Sequence, residues 1–347
     1  LGSLHDKSRR VSQLAALIAG YVKADDDTVE RAATLDRTDL LTAMVGEFPE
    51  LQGRMGFYYA VNDGEPEAVA VAIEEQYLPR HAGDQLPTTP IGMALSLADR
   101  LDTLAGIFAI GKKPSGNKDP FGLRRQALGL IRILIECRID VDLPALLRSA
   151  VELQPLEESS PDTAGELYEF IIERMRAWYI AGQAPGLTKG DISPEMFESV
   201  RSRAPASPLD FQERMLAVHR FMNLDAASSL AAANKRIANI LKKAETGSET
   251  LTGKPVSVEL FDAKEEQALY KAVEAVLPGH QTDLEARKYA DVLARLADLR
   301  EPVDGYFDQV MVMADDDKQR ANRLAQLGLL RKLFLDVADI SCIPTSR

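Results

Sequence analysis

The stretch Ile91–Ile110, IGMALSLADRLDTLAGIFAI, decides the fold. Its apolar residues do not alternate at period two, and they run on for longer than a strand sustains, so it reads as a helix buried on most of its surface. The loop AGDQLPTTP (82–90) precedes it. Two carboxylates interrupt the apolar pattern. Asp99 and Asp102 lie three residues apart, hence on one face of the helix. Buried carboxylates need partners, either a metal ion or an Arg or helix N-terminus. A hydrolytic metal site would draw His and Asp ligands from several helices. With Asp36, these two are the weak metal-ligand candidates of the chain.

Immediately downstream, GKKPSGNKDPFGLRR (111–125) changes character. Lys112, Lys113 and Lys118 sit among Gly, Pro, Ser and Asn, which are turn formers, so a loop with exposed N–H groups is expected. Asp119 reads as an N-cap with Pro120 at the first helical position. The helix FGLRRQALGLIRILIE then carries Arg124 and Arg125 near its start. Cations there oppose the helix dipole unless an anion lies close by. A basic, Gly-containing loop running into a helix suits phosphate. An ordinary solvated loop fits the spacing equally well.

The chain has 347 residues and a formal net charge of -12, with 46% hydrophobic and 27% charged residues. That is the composition of a globular protein long enough for two domains. An acidic balance argues against non-specific coating of nucleic acid, but not against RNA held by a local basic patch. Cys137 and Cys342 form neither a disulfide framework nor a metal pattern. No apolar run reaches bilayer length, and no signal peptide is read, so the cytoplasm is the expected compartment. The opening LGSLHDKSRR is already helical in pattern, as expected of a segment of a longer chain.

Towards the N-terminus, Leu4, Val11, Leu14, Leu17, Ile18 and Val22 mark one helix. Thr28 is the expected cap of a second, running to Val45. Past Glu136, DLPALLRSAVEL starts with Asp142 as cap, and SPEMFESV starts with Ser193. Residues 154–164 and 245–257 read as polar loops. Trp178 fits either base stacking or core packing on its helix, and its place on the apolar stripe favours the core. His219 reads as structural. Arg201 and Arg203 suit RNA contact or solvent equally. AASSLAAANKRIANILKKAE puts Lys235 and Lys242 on one helical face, flanked by Arg236 and Lys243, with Asn234 and Asn239 able to address base edges. This helix is either an RNA-reading face or a solvated cationic one. LEARKYADVLARLADLREPVDGYF reads as one helix ended by Pro302, and Asp316 or Asp317 as the start of the last helix. That helix offers Arg320, Arg323, Arg331 and Lys332. The whole chain is all-α.

Several long stretches together resemble one family. DLLTAMVGEFPELQGRMGFYYA (39–60), LPTTPIGMALSLADRLDTLAGIFAIG (86–111), PSGNKDPFGLRRQALG (114–129), ANKRIANIL (233–241) and PVDGYFDQVMVMADDDKQRANRLAQLGLL (302–330) are similar to the C-terminal part of the β subunit of bacterial two-subunit glycyl-tRNA synthetase. The resemblance implies an HD-like helical domain over 1–138 that contacts tRNA. It implies an arginyl-tRNA-synthetase-like anticodon-binding bundle over 139–347, with a Pro/Gly-rich insertion near 182–208. In the family, glycine is joined to tRNA(Gly) using ATP and Mg in an α2β2 assembly whose aminoacylation site lies in the α subunit. This part of the β subunit is then expected to have no cofactor and no catalytic residue. Where HD proteins carry a His–Asp pair, this chain has Leu35-Asp36 or Asp36-Arg37, so the metal ligands are degenerate. His5-Asp6 stands apart, and His81 falls in a loop. The resemblance favours RNA for the helix at 233–243. The tRNA-binding candidates are thus Lys112, Lys113, Lys118, Arg124, Arg125, Asn234, Lys235, Arg236, Asn239, Lys242, Arg320 and Arg323. The competing readings are an HD-type metal-dependent phosphohydrolase and a helical scaffold that binds no RNA.

Overall fold

The computed structural model describes residues 1–116, 118–155, 162–245 and 255–344. Among them there are helices and no strand, so the chain is all-α; the one isolated bridge pairs Ser115 with Lys118. The backbone groups into two compact units, Leu1–Trp178 with Ala206–Leu209, and Tyr179–Pro205 with Asp210–Arg347. The division thus falls after residue 178, later than the boundary read at 138/139. The reason lies in packing, since the helix after residue 142 lies against Ile91–Ile110.

The first unit is built from α1 (Leu4–Val22), α2 (Asp26–Leu35), α3 (Ala43–Glu47), α4 (Arg54–Asn62), α5 (Glu67–Glu75), α6 (Pro90–Ala109), α7 (Leu123–Glu136), α8 (Leu143–Glu152) and α9 (Thr163–Ile180), which ends just past it. α6 is the hub and packs against α1, α2, α5, α7 and α8. Its Leu95, Leu97, Leu101 and Leu104 are buried, as are Leu14 and Ile18 of α1 and Leu130, Ile133 and Leu134 of α7. Each such side chain contributes about 1.5–3 kcal/mol by leaving water. Trp178 is also buried, which decides for core packing over base stacking.

The start of α6 is fastened by a buried acid. The Glu75 carboxylate, at the end of α5, accepts from the backbone N–H of Thr88 (2.8 Å) and Thr89 (3.0 Å) and from both threonine hydroxyls. Its charge therefore sits where the N-terminal dipole of α6 favours an anion. Gly92 permits this approach, because a Cβ there would fall on the Glu75 carboxylate.

Some local expectations shift. The cap of α2 is Asp25, which accepts from Thr28, rather than Thr28 itself. α7 starts at Leu123, not at Pro120, with Gly122 in the left-handed region at φ 65. Asp119 still satisfies the helix start: its two oxygens accept from the N–H of Leu123 (2.8 Å) and Arg124 (2.9 Å) across the intervening turn. Asp142 and Ser193 cap as expected.

The second unit contains α10 (Pro194–Arg201), most of α11 (Pro208–Met222), α12 (Ala227–Glu245), α13 (Lys264–Glu285), α14 (Tyr289–Ala297), α15 (Arg300–Gln309) and α16 (Asp317–Leu335). Here α12 packs on α15 and α16, and α13 packs on α14, α15 and α16. Leu230, Ile237, Leu269, Val273, Leu296, Tyr306, Leu327 and Phe334 fill the space between them. A cluster of Tyr179, Phe197 and Phe211, with ring centroids 4.9–5.9 Å apart, closes the α10–α11 end. α13 runs on through Pro278 because Val273, Val276 and His280 keep the buried face in phase on both sides of it. Pro302 does not end a helix. The segment breaks instead at Asp298 and Leu299, and Pro302 falls in the first turn of α15, where no N–H is needed. Asp304, Phe307 and Asp308 are accordingly helical, and only Val310 and Met311 lie beyond. Asp316 caps α16. Most of the loops read at 154–164 and 245–257 lies outside the described residues.

Candidate nucleic-acid interface

The candidate cations divide into exposed ones and ones committed to the fold. On α12, Lys235, Arg236, Asn239 and Lys242 are exposed, whereas Ala231, Asn234 and Ile237 face the core. The helix thus presents one cationic strip away from its packed side. The Arg236 guanidinium lies 4.4 Å from the centroid of Phe307 on α15, so its orientation is set by a ring stack. Asn234 is only 2% exposed and its amide donates to the Leu230 carbonyl, so it braces the helix and meets no ligand.

Beside this strip, Ala238, Leu241, Val256, Tyr270, Leu329 and Leu335 enclose a cavity of about 1030 Å³ between α12, α13 and α16. Asn239, Lys242, Arg331 and Lys332 lie around it. Arg331 is paired with Asp339 and Lys332 with Asp336, so the apolar floor with one tyrosine and the exposed Lys242 at its rim are what suit an unstacked base with its phosphate. Tyr270 had no signal in the sequence, because a lone tyrosine on an amphipathic helix reads as ordinary packing.

At the start of α16 the candidates fare differently. Arg323 is 5% exposed and is spent on Glu266, Asp262 and the Met311 carbonyl. Arg320 is half-buried, donating to the Ala314 carbonyl (2.7 Å) and pairing with Asp317. Both hold the end of α16, and Arg323 has no face left for RNA.

In the first unit the basic loop is open. Lys112 and Lys118 are exposed, with Lys112 5.9 Å from the Phe121 ring. Lys113 pairs with Glu166. Arg124 donates to the Gly116 carbonyl at 2.6 Å and so closes the loop, while Arg125 is exposed. The loop is tied by reciprocal backbone bonds between Ser115 and Lys118, 3.2 and 2.9 Å. This loop and the α12 strip belong to different units.

Two of the three acidic candidates, Asp99 and Asp102, are neutralised by side chains. Asp102 meets Arg10 Nε at 2.6 Å and Lys7 Nζ at 2.9 Å. Asp99 meets Lys7 Nζ at 2.9 Å and pairs with Arg37. Asp36 accepts from the Ser8 hydroxyl at 2.6 Å. Burial alone would raise the Asp99 and Asp102 carboxyls, but the adjacent cations hold both below the ordinary value. Asp36 goes the other way, and burial lifts it to about 6 despite Ser8 and Arg37. Of the partners foreseen for Asp99 and Asp102, Arg is found, and Lys7, which was not foreseen, joins it in the places a metal would need. Among the described residues, no group of three or more His, Cys, Asp or Glu converges on one point. His219 makes a 3.2 Å contact with the Asp191 carbonyl, in keeping with a structural role. No helix of the described residues is long and apolar enough to cross a membrane.

Comparison with known proteins bears on this arrangement. Residues 1–187 match the family model described as glycyl-tRNA synthetase beta subunit, and residues 230–343 match that of the DALR anticodon binding domain. The chain is 47% identical over 344 residues to the glycine–tRNA ligase beta subunit of Hahella chejuensis. It is 48% identical over 343 residues to those of Ectopseudomonas mendocina and Pseudomonas putida. In each case 99% of this chain and 48% of the relative are covered, so the chain spans about half the length of these curated relatives.

Proposed function

The chain belongs to the family of glycyl-tRNA synthetase β subunits, and on that premise we propose that it is the tRNA-binding part of a glycine–tRNA ligase. The observation that carries this reading is the exposed strip Lys235, Arg236, Asn239 and Lys242, set beside an apolar cavity inside the segment that matches an anticodon-binding model. Lysine and arginine hold phosphates without regard to sequence, and the cavity accepts a splayed base stacked on Tyr270. Lys112 and Lys118, with Lys113, Arg124 and Arg125 around them, supply a second backbone contact from an HD-like first domain.

The complete enzyme attaches glycine to tRNA(Gly) at the expense of ATP, with Mg, in an α2β2 assembly in the cytoplasm. Its chemistry lies in the α subunit. The residues present here do not fit a metal–nucleotide centre, because Asp99 and Asp102 are matched by Lys7, Arg10 and Arg37. The same pairing disfavours a metal-dependent phosphohydrolase. A scaffold that binds no RNA leaves the α12 strip without a purpose. The test is retention of a tRNA(Gly) transcript by the chain, together with a charging assay on the chain alone. Retention without charging is expected; failure to retain tRNA, or charging by the chain alone, overturns the proposal.

A further inference from the structure

A second cavity, of about 450 Å³, lies wholly within the first unit. Its wall is unusual for a chain of net charge -12, because Arg37, Arg80, Arg100 and Arg125 all border it. Arg100 comes from α6, Arg125 and Gln126 from α7, Arg37 from the end of α2, and Arg80 and Tyr77 from the loop after α5.

The four guanidinium groups are not equally spent. Arg37 pairs with Asp99, and Arg80 with Asp84 at 3.0 Å. Arg100 is 3% exposed and has no carboxylate partner. It donates to the Gln126 side-chain oxygen at 2.6 Å and to the Pro79 carbonyl at 2.9 Å, while its Nε is buried with no acceptor. Arg125 is exposed, and no carboxylate of the described residues pairs with it. Burial pushes the Arg100 guanidinium down to about 10, and the nearby Arg125 charge adds to that, with only Asp99 acting against it. Two cations without an ion-pair partner thus line one cavity. Asp99 and Glu50 also border the cavity, but Asp99 is already matched by Lys7 and Arg37. A buried cation with no carboxylate partner favours an anion beside it that offers several acceptor oxygens. The size is that of a site for a small ligand.

We propose that this cavity is a phosphate-binding site, in which Arg100 and Arg125 grip the phosphate group of a nucleotide-sized ester. Gln126 orients Arg100, and the Tyr77 ring forms one side of the wall. The phosphate is either that of a free nucleotide or one carried by a bound RNA. The proposal rests on the cavity's own residues and does not depend on the tRNA reading of α12.

The test is calorimetric titration of the chain with inorganic phosphate, AMP and GMP at low salt, in parallel with Arg125→Gln, Arg100→Lys and Arg9→Gln. Arg9 is exposed on α1 and controls for the loss of one positive charge. Saturable binding is expected, weakened about tenfold or more by Arg125→Gln with an unchanged melting temperature. Arg100→Lys keeps the charge but loses the planar fork, so it weakens binding too, and Arg9→Gln does not. A tRNA titration then separates the sources. An RNA-borne phosphate predicts weaker tRNA binding in Arg100→Lys, which lies outside the basic loop, and competition by inorganic phosphate at constant ionic strength; a free nucleotide predicts neither. No binding of any of the three anions up to about 20 mM, or binding that Arg125→Gln and Arg100→Lys leave unchanged, overturns the proposal.

Discussion

Arg323 of α16 and Glu266 of α13 form a buried two-point ion pair, Nε to Oε1 at 2.9 Å and Nη2 to Oε2 at 3.3 Å. Glu266 also accepts from the N–H groups of Asp262 (3.1 Å) and Ala263 (3.0 Å), so the same carboxylate caps α13 and anchors α16. Removing one partner strands the other charge in the core. Arg323→Ala is therefore expected to destabilise the chain by about 3–5 kcal/mol in urea unfolding. A loss below about 1 kcal/mol would show that water reaches the pair.

The α12 strip behaves in the opposite way. Lys235→Ala with Arg236→Ala removes two exposed cations and one ring stack, for a stability change of about 1 kcal/mol or less. The same change should weaken tRNA binding about tenfold or more and lower the slope of log affinity against log salt by about 1–2. Asn234→Ala should leave the slope alone, because Asn234 is buried. Filter binding at several salt concentrations checks both. An unchanged slope in the double variant would remove α12 from the interface.

Asp36 gives a pH signature. Its carboxyl has a folded value of about 6, raised mainly by burial. The unfolded value is about 3.9, so between the two the native state binds more protons than the unfolded chain. Stability contributed by Asp36 therefore falls as pH rises through that window, by about 3 kcal/mol in total. Asp36→Asn carries no such proton. Relative to the parent, it should gain stability between about pH 4.5 and pH 7 in urea unfolding at a series of pH values. A difference that stays flat with pH would mean that this carboxyl ionises normally.

The paired carboxylates predict indifference to metal. Because Lys7, Arg10 and Arg37 neutralise Asp99 and Asp102, chelation should move the melting temperature by less than about 1 °C, and added Mn or Zn should not raise it. Stabilisation by either metal that Asp99→Asn abolishes would restore the phosphohydrolase reading.

Much of this was legible in the sequence, and the failures have local causes. Period and length alone placed α6 as a buried helix, and its two aspartates announced that they needed partners. Which partners was not legible, because Lys7 and Arg10 lie some ninety residues upstream, separated by 95 and 92 positions from Asp102. Arg323 was misassigned for the same reason, since Glu266 is 57 residues away and α16 looks cationic on its own. Asn234 was avoidable: it stands four residues after Leu230 and three before Ile237, on the apolar stripe and off the lysine face. Pro302 misled because proline is as comfortable in a first turn as after a last one. The arginine-walled cavity left no trace, because its residues come from five separate segments and none of them repeats at a readable spacing.

The most direct test of the account is the affinity of the chain for a tRNA(Gly) transcript against the same transcript with a changed anticodon, at two salt concentrations. The account predicts binding that weakens with salt at a slope set by several phosphate contacts, and that drops about tenfold or more when the anticodon is changed. Equal affinity for the two transcripts would contradict anticodon reading by the second unit, and absence of binding to both would contradict the RNA-binding role of the chain.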